Sequence, residues 1–144
     1  RPYILVYTIF WDRTYNKQLK RLKRQTGYEI VAICPGGISS VWADRKIFDA
    51  DPGQFLYLID HAEAVVSSSF HGIALALNFH KKTAAVIDPA SPSRIRNLLS
   101  LLAVRNRDIA DVMNFDLSGY VDINRRISEE RERSVEYLRE VLAR

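Results

Sequence analysis

The run Ser67-Ser68-Ser69-Phe70-His71-Gly72 carries the residue types best suited to chemistry in this chain. An apolar stretch, Ala64-Val65-Val66, precedes it, and a helical one, Ile73-Ala74-Leu75-Ala76-Leu77, follows. A strand therefore ends in a small polar turn that opens a helix, with a histidine in the helix's first turn. The first N–H groups of a helix have no intrahelical acceptor, so such a mouth suits a phosphate or carboxylate. Ser69 has the type and place of an N-cap, its hydroxyl accepting from an N–H two or three residues on. Gly72 is expected to leave room for a ligand to approach the backbone. The His71 imidazole can donate hydrogen bonds and hold or move a proton near neutral pH. A purely structural role is also open, since many helices start with Ser and bind nothing. Ser67, Ser68 and Ser69 read as turn formers rather than nucleophiles, because no acid is spaced to activate them and the G-x-S-x-G elbow is absent.

The flanking elements must hold this turn in place. Tyr3 to Ile9 is a continuous apolar, β-branched run, as expected of a strand buried on both faces. Residues 12–25 read as a helix stopped by Gly27. Tyr28 to Cys34 is a second buried strand, and Pro35-Gly36-Gly37 breaks into a loop. Arg45 to Phe48 is a short third strand. Asp51 and Pro52 are the N-cap and first residue of a helix that turns Phe55, Leu56, Leu58 and Ile59 inward. Glu63 to Ser67 is the fourth strand, and residues 70–79 form a short, nearly all-apolar helix that must lie beneath another layer. Thr83 to Ile87 is the fifth strand and Ser93 to Leu102 a helix. Ile109 to Phe115 is open between helix and loop. Residues 123–143 form a long helix with Ile127, Ser134, Leu138 and Val141 on one stripe. The alternation predicts an α/β fold: a Rossmann-like parallel sheet of five or six strands with helices on both faces.

Bulk properties narrow the classes. The chain has 144 residues, 47% apolar and 26% charged, enough for one domain with its own core. No apolar run approaches the roughly 18 residues of a membrane span, and no signal peptide is visible. The chain opens on Arg1 rather than Met, the beginning expected of a fragment or processed product. The lone Cys34 allows no internal disulfide and fits a reducing, cytoplasmic compartment. The net charge of +4 owes much to Arg13, Lys17, Lys20, Arg21, Lys23 and Arg24. This cluster reads first as a solvated helix face, with attraction to a polyanion or an anionic membrane surface as the alternative. No aromatic-and-basic interleaving argues for nucleic acid, and no spacing argues for a metal. The GxGxxG fingerprint is absent after the first strand, where Thr8-Ile9-Phe10-Trp11 stands, and so is the G-x-x-x-x-G-K-[ST] phosphate loop.

The residues from Asp51-Pro52-Gly53-Gln54-Phe55-Leu56-Tyr57-Leu58-Ile59, through His61-Ala62-Glu63-Ala64-Val65-Val66 and Ser69-Phe70-His71-Gly72, to Asn78-Phe79-His80-Lys81 resemble the polysaccharide pyruvyl transferases. Arg94-Ile95-Arg96-Asn97-Leu98-Leu99, Arg105, and Ser134, Tyr137 and Leu138 in the last helix are similar to that family's later pattern. The likeness spans most of residues 3–142, but its specificity lies in the stretch around Ser69-Phe70-His71-Gly72. Lys82 stands where the family often has Pro, and Ile73 where it often has Thr.

The resemblance implies a two-domain protein of the glycosyltransferase-B kind, of which residues 1–144 form the C-terminal Rossmann-like domain, with the N-terminal domain as its missing partner. It implies transfer of pyruvyl from phosphoenolpyruvate to a saccharide, or lipid-linked saccharide, as a ketal in exopolysaccharide or cell-wall polysaccharide synthesis. No cofactor is implied beyond this donor substrate. The expected location is cytoplasmic, with the inner face of the cell membrane open as a docking site. Ser69, Phe70, His71, Gly72 and Arg94 are the expected donor-binding residues, and His71 the expected catalytic one. Arg96 and Lys81 are weaker candidates. On its own the domain is expected to be inactive. Two other classes stay open. One is the donor domain of a nucleotide-sugar glycosyltransferase, for which Asp88 would be the acid gripping the ribose. The other is a non-catalytic α/β binding module.

Overall fold

The computed structural model describes residues 1–37 and 40–143. Five parallel strands form one sheet: β1 (Tyr3–Tyr7), β2 (Glu29–Ile33), β3 (Arg45–Ile47), β4 (Ala64–Ser67) and β5 (Lys82–Ala85). Their spatial order is β3-β2-β1-β4-β5. The chain moves outward from β1 to β3 and then crosses back to place β4 on the other side of β1. The carboxyl ends of β1 and β4 are therefore the point where the strand order reverses, the place where open α/β sheets bind ligands.

Alternation along the strands sorts the core. Ile4 and Val6, Ile30 and Ala32, Ala64 and Val66, and Ala84 and Val86 turn to one face. There they meet Leu19 and Leu22 of α1 (Tyr15–Thr26) and Ile109 and Val112 of a 3-10 segment, Ile109–Asn114. Leu5, Val31, Ile33 and Val65 turn to the other face, against Leu58 and Ile59 of α2 (Pro52–Asp60) and Ala76 of α3 (Phe70–Asn78). Helices thus cover both faces, and the central strands β1, β2 and β4 are apolar through their buried interiors because neither side meets water there, whereas the edge strand β3 carries Arg45 and Lys46. The outer side of α3 is covered in turn. Its Ile73 and Leu77 pack with Ile95 and Leu99 of α4 (Ser93–Leu101) and with Tyr120 and Ile123 of α5 (Tyr120–Leu142). That second layer is why α3 carries almost no polar residue.

Local chemistry sets most boundaries. Asp51 and Gln54 form a reciprocal capping box, Gln54 N–H donating to Asp51 Oδ1 at 2.8 Å and Asp51 N–H to Gln54 Oε1 at 3.1 Å, with Pro52 at the first helical position. Leu56 is exposed, contrary to the expected inward set, because the buried stripe runs through Phe55, Leu58, Ile59 and Ala62 and leaves position 56 off that face. α1 starts at Tyr15 rather than residue 12. Asp12 accepts from Thr14 N–H at 2.8 Å and Tyr15 N–H donates to the Asp12 carbonyl, so a turn comes first. Gly27 ends α1 in the left-handed region, φ 71°, donating to the Lys23 carbonyl.

The long helix begins at Tyr120, three residues before the expected 123, and only its first turns touch the domain. Tyr120 and Ile123 are buried and Ile127 is half-buried, whereas Leu138 and Val141 of the expected stripe are exposed. Among the described residues four ion pairs form within the helix, Arg125 with Asp122 and Glu129, Arg126 with Asp122, and Arg133 with Glu130.

The outer edge of β5 is closed by side chains. Asn106 bonds both backbone groups of Ala85, Oδ1 accepting from its N–H and Nδ2 donating to its carbonyl, each at 2.9 Å, as a sixth strand would. Tyr120 Oη donates to the Lys81 carbonyl at 2.5 Å, and burial pushes its phenol well above the usual range. Cys34 is fully buried, and burial raises its thiol as well, which leaves it a small core residue rather than a nucleophile. Among the described residues no helix is long and apolar enough to cross a membrane.

Candidate functional site

The turn after β4 lies at the order reversal and is bonded across to β1. Tyr7 pairs with Ser67 in register. Ser67 Oγ donates to the Tyr7 carbonyl at 2.5 Å and accepts from Ser69 N–H at 3.1 Å. Ser68 Oγ accepts from both Ile9 N–H and Phe10 N–H at 3.0 Å. The two loops leaving the sheet's carboxyl edge are thereby fastened together by hydroxyls. Ser67, Ser68 and Ser69 are all buried, so they shape the turn. Ser69 caps α3 with a long contact, 3.5 Å from Gly72 N to its Oγ, and its carbonyl takes Ile73 N–H. Phe70 and His71 are the first two residues of α3, whose amides have no intrahelical acceptor.

His71 is exposed in the first turn of α3. The other two histidines are tied down: His61 Nδ1 lies 2.9 Å from the Tyr57 carbonyl with its ring stacked on Tyr57, and His80 Nε2 lies 2.9 Å from Asn124 Oδ1. His71 has no hydrogen-bond partner among the described residues, and its ring stands T-shaped to that of Phe70, at 5.7 Å between ring centroids. Arg94, exposed in the first turn of α4, sets its guanidinium 5.7 Å from the centre of the same Phe70 ring. The imidazole and the guanidinium each lie 5.7 Å from the Phe70 ring centre. Ser69, Phe70, His71 and Arg94 thus lie about the same turn, and an arginine and a histidine are residue types whose chemistry suits an anion and a proton.

Gly72 belongs to this turn but does a different job from the one expected. It is buried, and a Cβ there would lie 2.3 Å from Ser67 Oγ and 2.8 Å from the Tyr7 ring. Its bareness lets α3 press onto β1 and β4, and the space on its Cβ side is taken by Ser67 and Tyr7. Lys81 is at the opposite end of α3, bonded through Nζ to the Asp60 carbonyl, and Arg96 is exposed on α4. Asp88 closes its own turn, Oδ1 accepting from Ala90 N–H at 2.9 Å. Thr8, overlooked in the sequence, lies one residue beyond β1 with a buried hydroxyl that has no partner among the described residues. Only the strand order, which puts β1 beside β4, draws notice to it. Among the described residues no group of three or more His, Cys, Asp or Glu is placed to hold a metal ion. Hollows lie elsewhere on the surface. One of about 580 Å³ between β3 and α2 is lined by Arg45, Asp49, Asp51 and Tyr57, and one of about 240 Å³ lies between the ends of α4 and α5. Neither is lined by His71.

A sequence model of the polysaccharide pyruvyl transferase family matches residues 1–91, which include every strand, Ser69 and His71. No curated protein matches the sequence. Solved structures share the fold at low identity. The glycosyltransferase of kitacinnamycin superposes with a TM-score of 0.63 at 12% identity, over 97% of this chain and 44% of that one. The glycosyltransferase SnogD from Streptomyces nogalater gives 0.53 at 16%, over 96% and 42%. UDP-GlcNAc 2-epimerase from Neisseria meningitidis, solved with UDP-GlcNAc, gives 0.51 at 12%, over 89% and 44%. The fold is thus that of one Rossmann-like half of a glycosyltransferase-B protein, and the chain spans less than half the length of these neighbours.

Proposed function

This chain belongs to the polysaccharide pyruvyl transferase family, and from that premise we propose that it is the donor-binding half of a two-domain enzyme that transfers pyruvyl from phosphoenolpyruvate to a saccharide as a ketal. The observation that carries the reading is the mouth of α3 at the order reversal, with His71 and Arg94 each beside Phe70. Phosphoenolpyruvate is small and anionic at both ends. It calls for helix N–H groups and fixed cations rather than a pocket for a base and ribose. The amides of Phe70 and His71 take one anionic group, and Arg94 takes the other with its planar fork. Ser69 holds the mouth open, and Phe70 fixes the spacing of the two charged rims.

The chemistry needs a proton on the enol carbon and removal of a proton from the attacking hydroxyl. His71 gives its proton to C3 of the donor while a saccharide oxygen bonds to C2, and the imidazole left neutral takes up the proton that this oxygen loses. A second saccharide oxygen then displaces phosphate from C2, its proton leaving with the phosphate, and closes the ketal. An exposed histidine at a rim suits this, since the acceptor must come from the facing domain, and closure of that domain would exclude water. An N-terminal partner domain, a lipid-linked or free saccharide acceptor and a cytoplasmic location complete the reading.

A nucleotide-sugar donor is the rival. The solved neighbours include glycosyltransferases, but the Asp88 carboxylate that would grip a ribose already serves its own turn. Thermal melting separates the two. At ten times its Kd, phosphoenolpyruvate should raise the melting midpoint by roughly 3–6 °C, whereas UDP- and GDP-sugars should leave it unchanged. The reverse pattern would make this a glycosyltransferase donor domain.

A further inference from the structure

α1 carries Lys17, Lys20, Arg21, Lys23 and Arg24 and no acidic residue, so its charge alone exceeds the +4 of the whole chain. Lys23 is paired with Asp44. Burial opposes ionisation of Asp44, but the Ile30 N–H and the Lys23 ammonium outweigh it and hold the carboxyl below its usual value. The other four are exposed and spaced i, i+3, i+4, i+7, which puts them on a single stripe. Among the described residues no carboxylate reaches ion-pair range of any of them; Asp108 and Asp111 lie only across a groove from Lys17 and Arg21. α5 shows what an ordinary solvated helix in this protein looks like: Arg125 and Arg133 pair with Glu129 and Glu130, and Arg125 and Arg126 share Asp122. α1 lacks that neutralisation.

Both tryptophans flank this helix. Trp11 Nε1 donates to Asn16 Oδ1 at 2.9 Å, and the Trp42 backbone N–H donates to the same oxygen at 2.9 Å. The Lys20 and Lys23 ammonium groups lie 5.6 and 5.8 Å from the Trp42 ring centre. Half-buried indoles beside a row of long cationic side chains match the belt residues of a membrane–water interface, where the ring and the alkyl stems meet the headgroups and the charges meet phosphate. Single-stranded nucleic acid would call instead for exposed aromatic faces along a groove.

We propose that the outer face of α1 docks this protein onto an anionic phospholipid surface through Lys17, Lys20, Arg21 and Arg24, independently of which donor the α3 mouth binds. Because α1 runs antiparallel to the strands it covers, this docking lays one face of the sheet toward the bilayer. The carboxyl edge with His71 then opens along the membrane, within reach of an acceptor held there.

The test is co-sedimentation of the chain with phosphatidylcholine vesicles with and without about one-third phosphatidylglycerol, at about 0.05 and 0.5 M salt. Binding is expected only to the anionic vesicles and only at low salt. Each basic residue near such a surface contributes about fivefold, so K17Q/K20Q/R21Q/R24Q should weaken binding more than a hundredfold. R131Q/R133Q/R139Q on α5 should leave it within a fewfold of the parent. The four α1 positions are exposed, and a circular dichroism melt matching the parent checks the fold of the variant. Equal binding by the α1 and α5 variants would overturn the proposal, as would tighter binding to duplex DNA than to anionic vesicles at matched salt.

Discussion

Replacing His71 with alanine in the full-length enzyme is expected to lower phosphate release from phosphoenolpyruvate, with acceptor present, by about 10²–10⁴-fold. The side chain is exposed and its ring stands T-shaped to that of Phe70, so the fold should not suffer. A loss of that size without a change in melting midpoint assigns the imidazole to the reaction. His71→Gln sharpens the assignment, since the amide can donate a hydrogen bond at the rim but cannot deliver a proton near neutral pH. If the ring moves protons, His71→Gln falls as far as His71→Ala in kcat while its KM for the donor stays near the parent value. If it only grips the donor, glutamine rescues part of the rate. Activity of the alanine variant within a few-fold of wild type would remove His71 from the chemistry.

Replacing Gly72 with alanine should cost about 1–3 kcal/mol of stability, a fall of several degrees in the melting midpoint. In an exposed helix the same change would gain up to about 1 kcal/mol through lower backbone entropy. Here the added methyl would sit 2.3 Å from Ser67 Oγ and 2.8 Å from the Tyr7 ring. Neither neighbour gives easily. Ser67 Oγ is bonded to the Tyr7 carbonyl and to Ser69 N–H, and the Tyr7 ring is tilted against Phe55 at 4.6 Å. The clash therefore outweighs the helix gain, and relief by shifting α3 outward would move His71 with it. Urea unfolding of the chain measures the loss, and a variant as stable as the parent or more so would show that α3 is not pressed onto the strands as described.

These residues also show where sequence is and is not informative. Ser69 as cap, His71 in the first turn of α3 and the Asp51–Gln54 start of α2 depend on contacts a few residues apart, so residue type and spacing suffice. The parallel sheet was legible because its central strands, β1, β2 and β4, are apolar on both faces. Gly72 was misjudged because a missing Cβ has two uses, ligand approach or close packing. Only the register of Tyr7 against Ser67, a pairing sixty residues apart, decides between them. Thr8 and Asn106 escaped notice for the same reason, since each matters only once β1 is placed beside β4 and β5 at the edge. The apolar stripe of α5 was visible, but a stripe does not name what covers it, and past Ile127 this domain does not.

The decisive measurement is a crystal of this chain soaked with phosphoenolpyruvate. The predicted result is the donor at the rim, one anionic group on the Phe70 and His71 amides and the other on the Arg94 guanidinium, with the His71 ring beside the enol carbon. Donor density in the hollow between β3 and α2, or at Asp88, with His71 left bare, would contradict it.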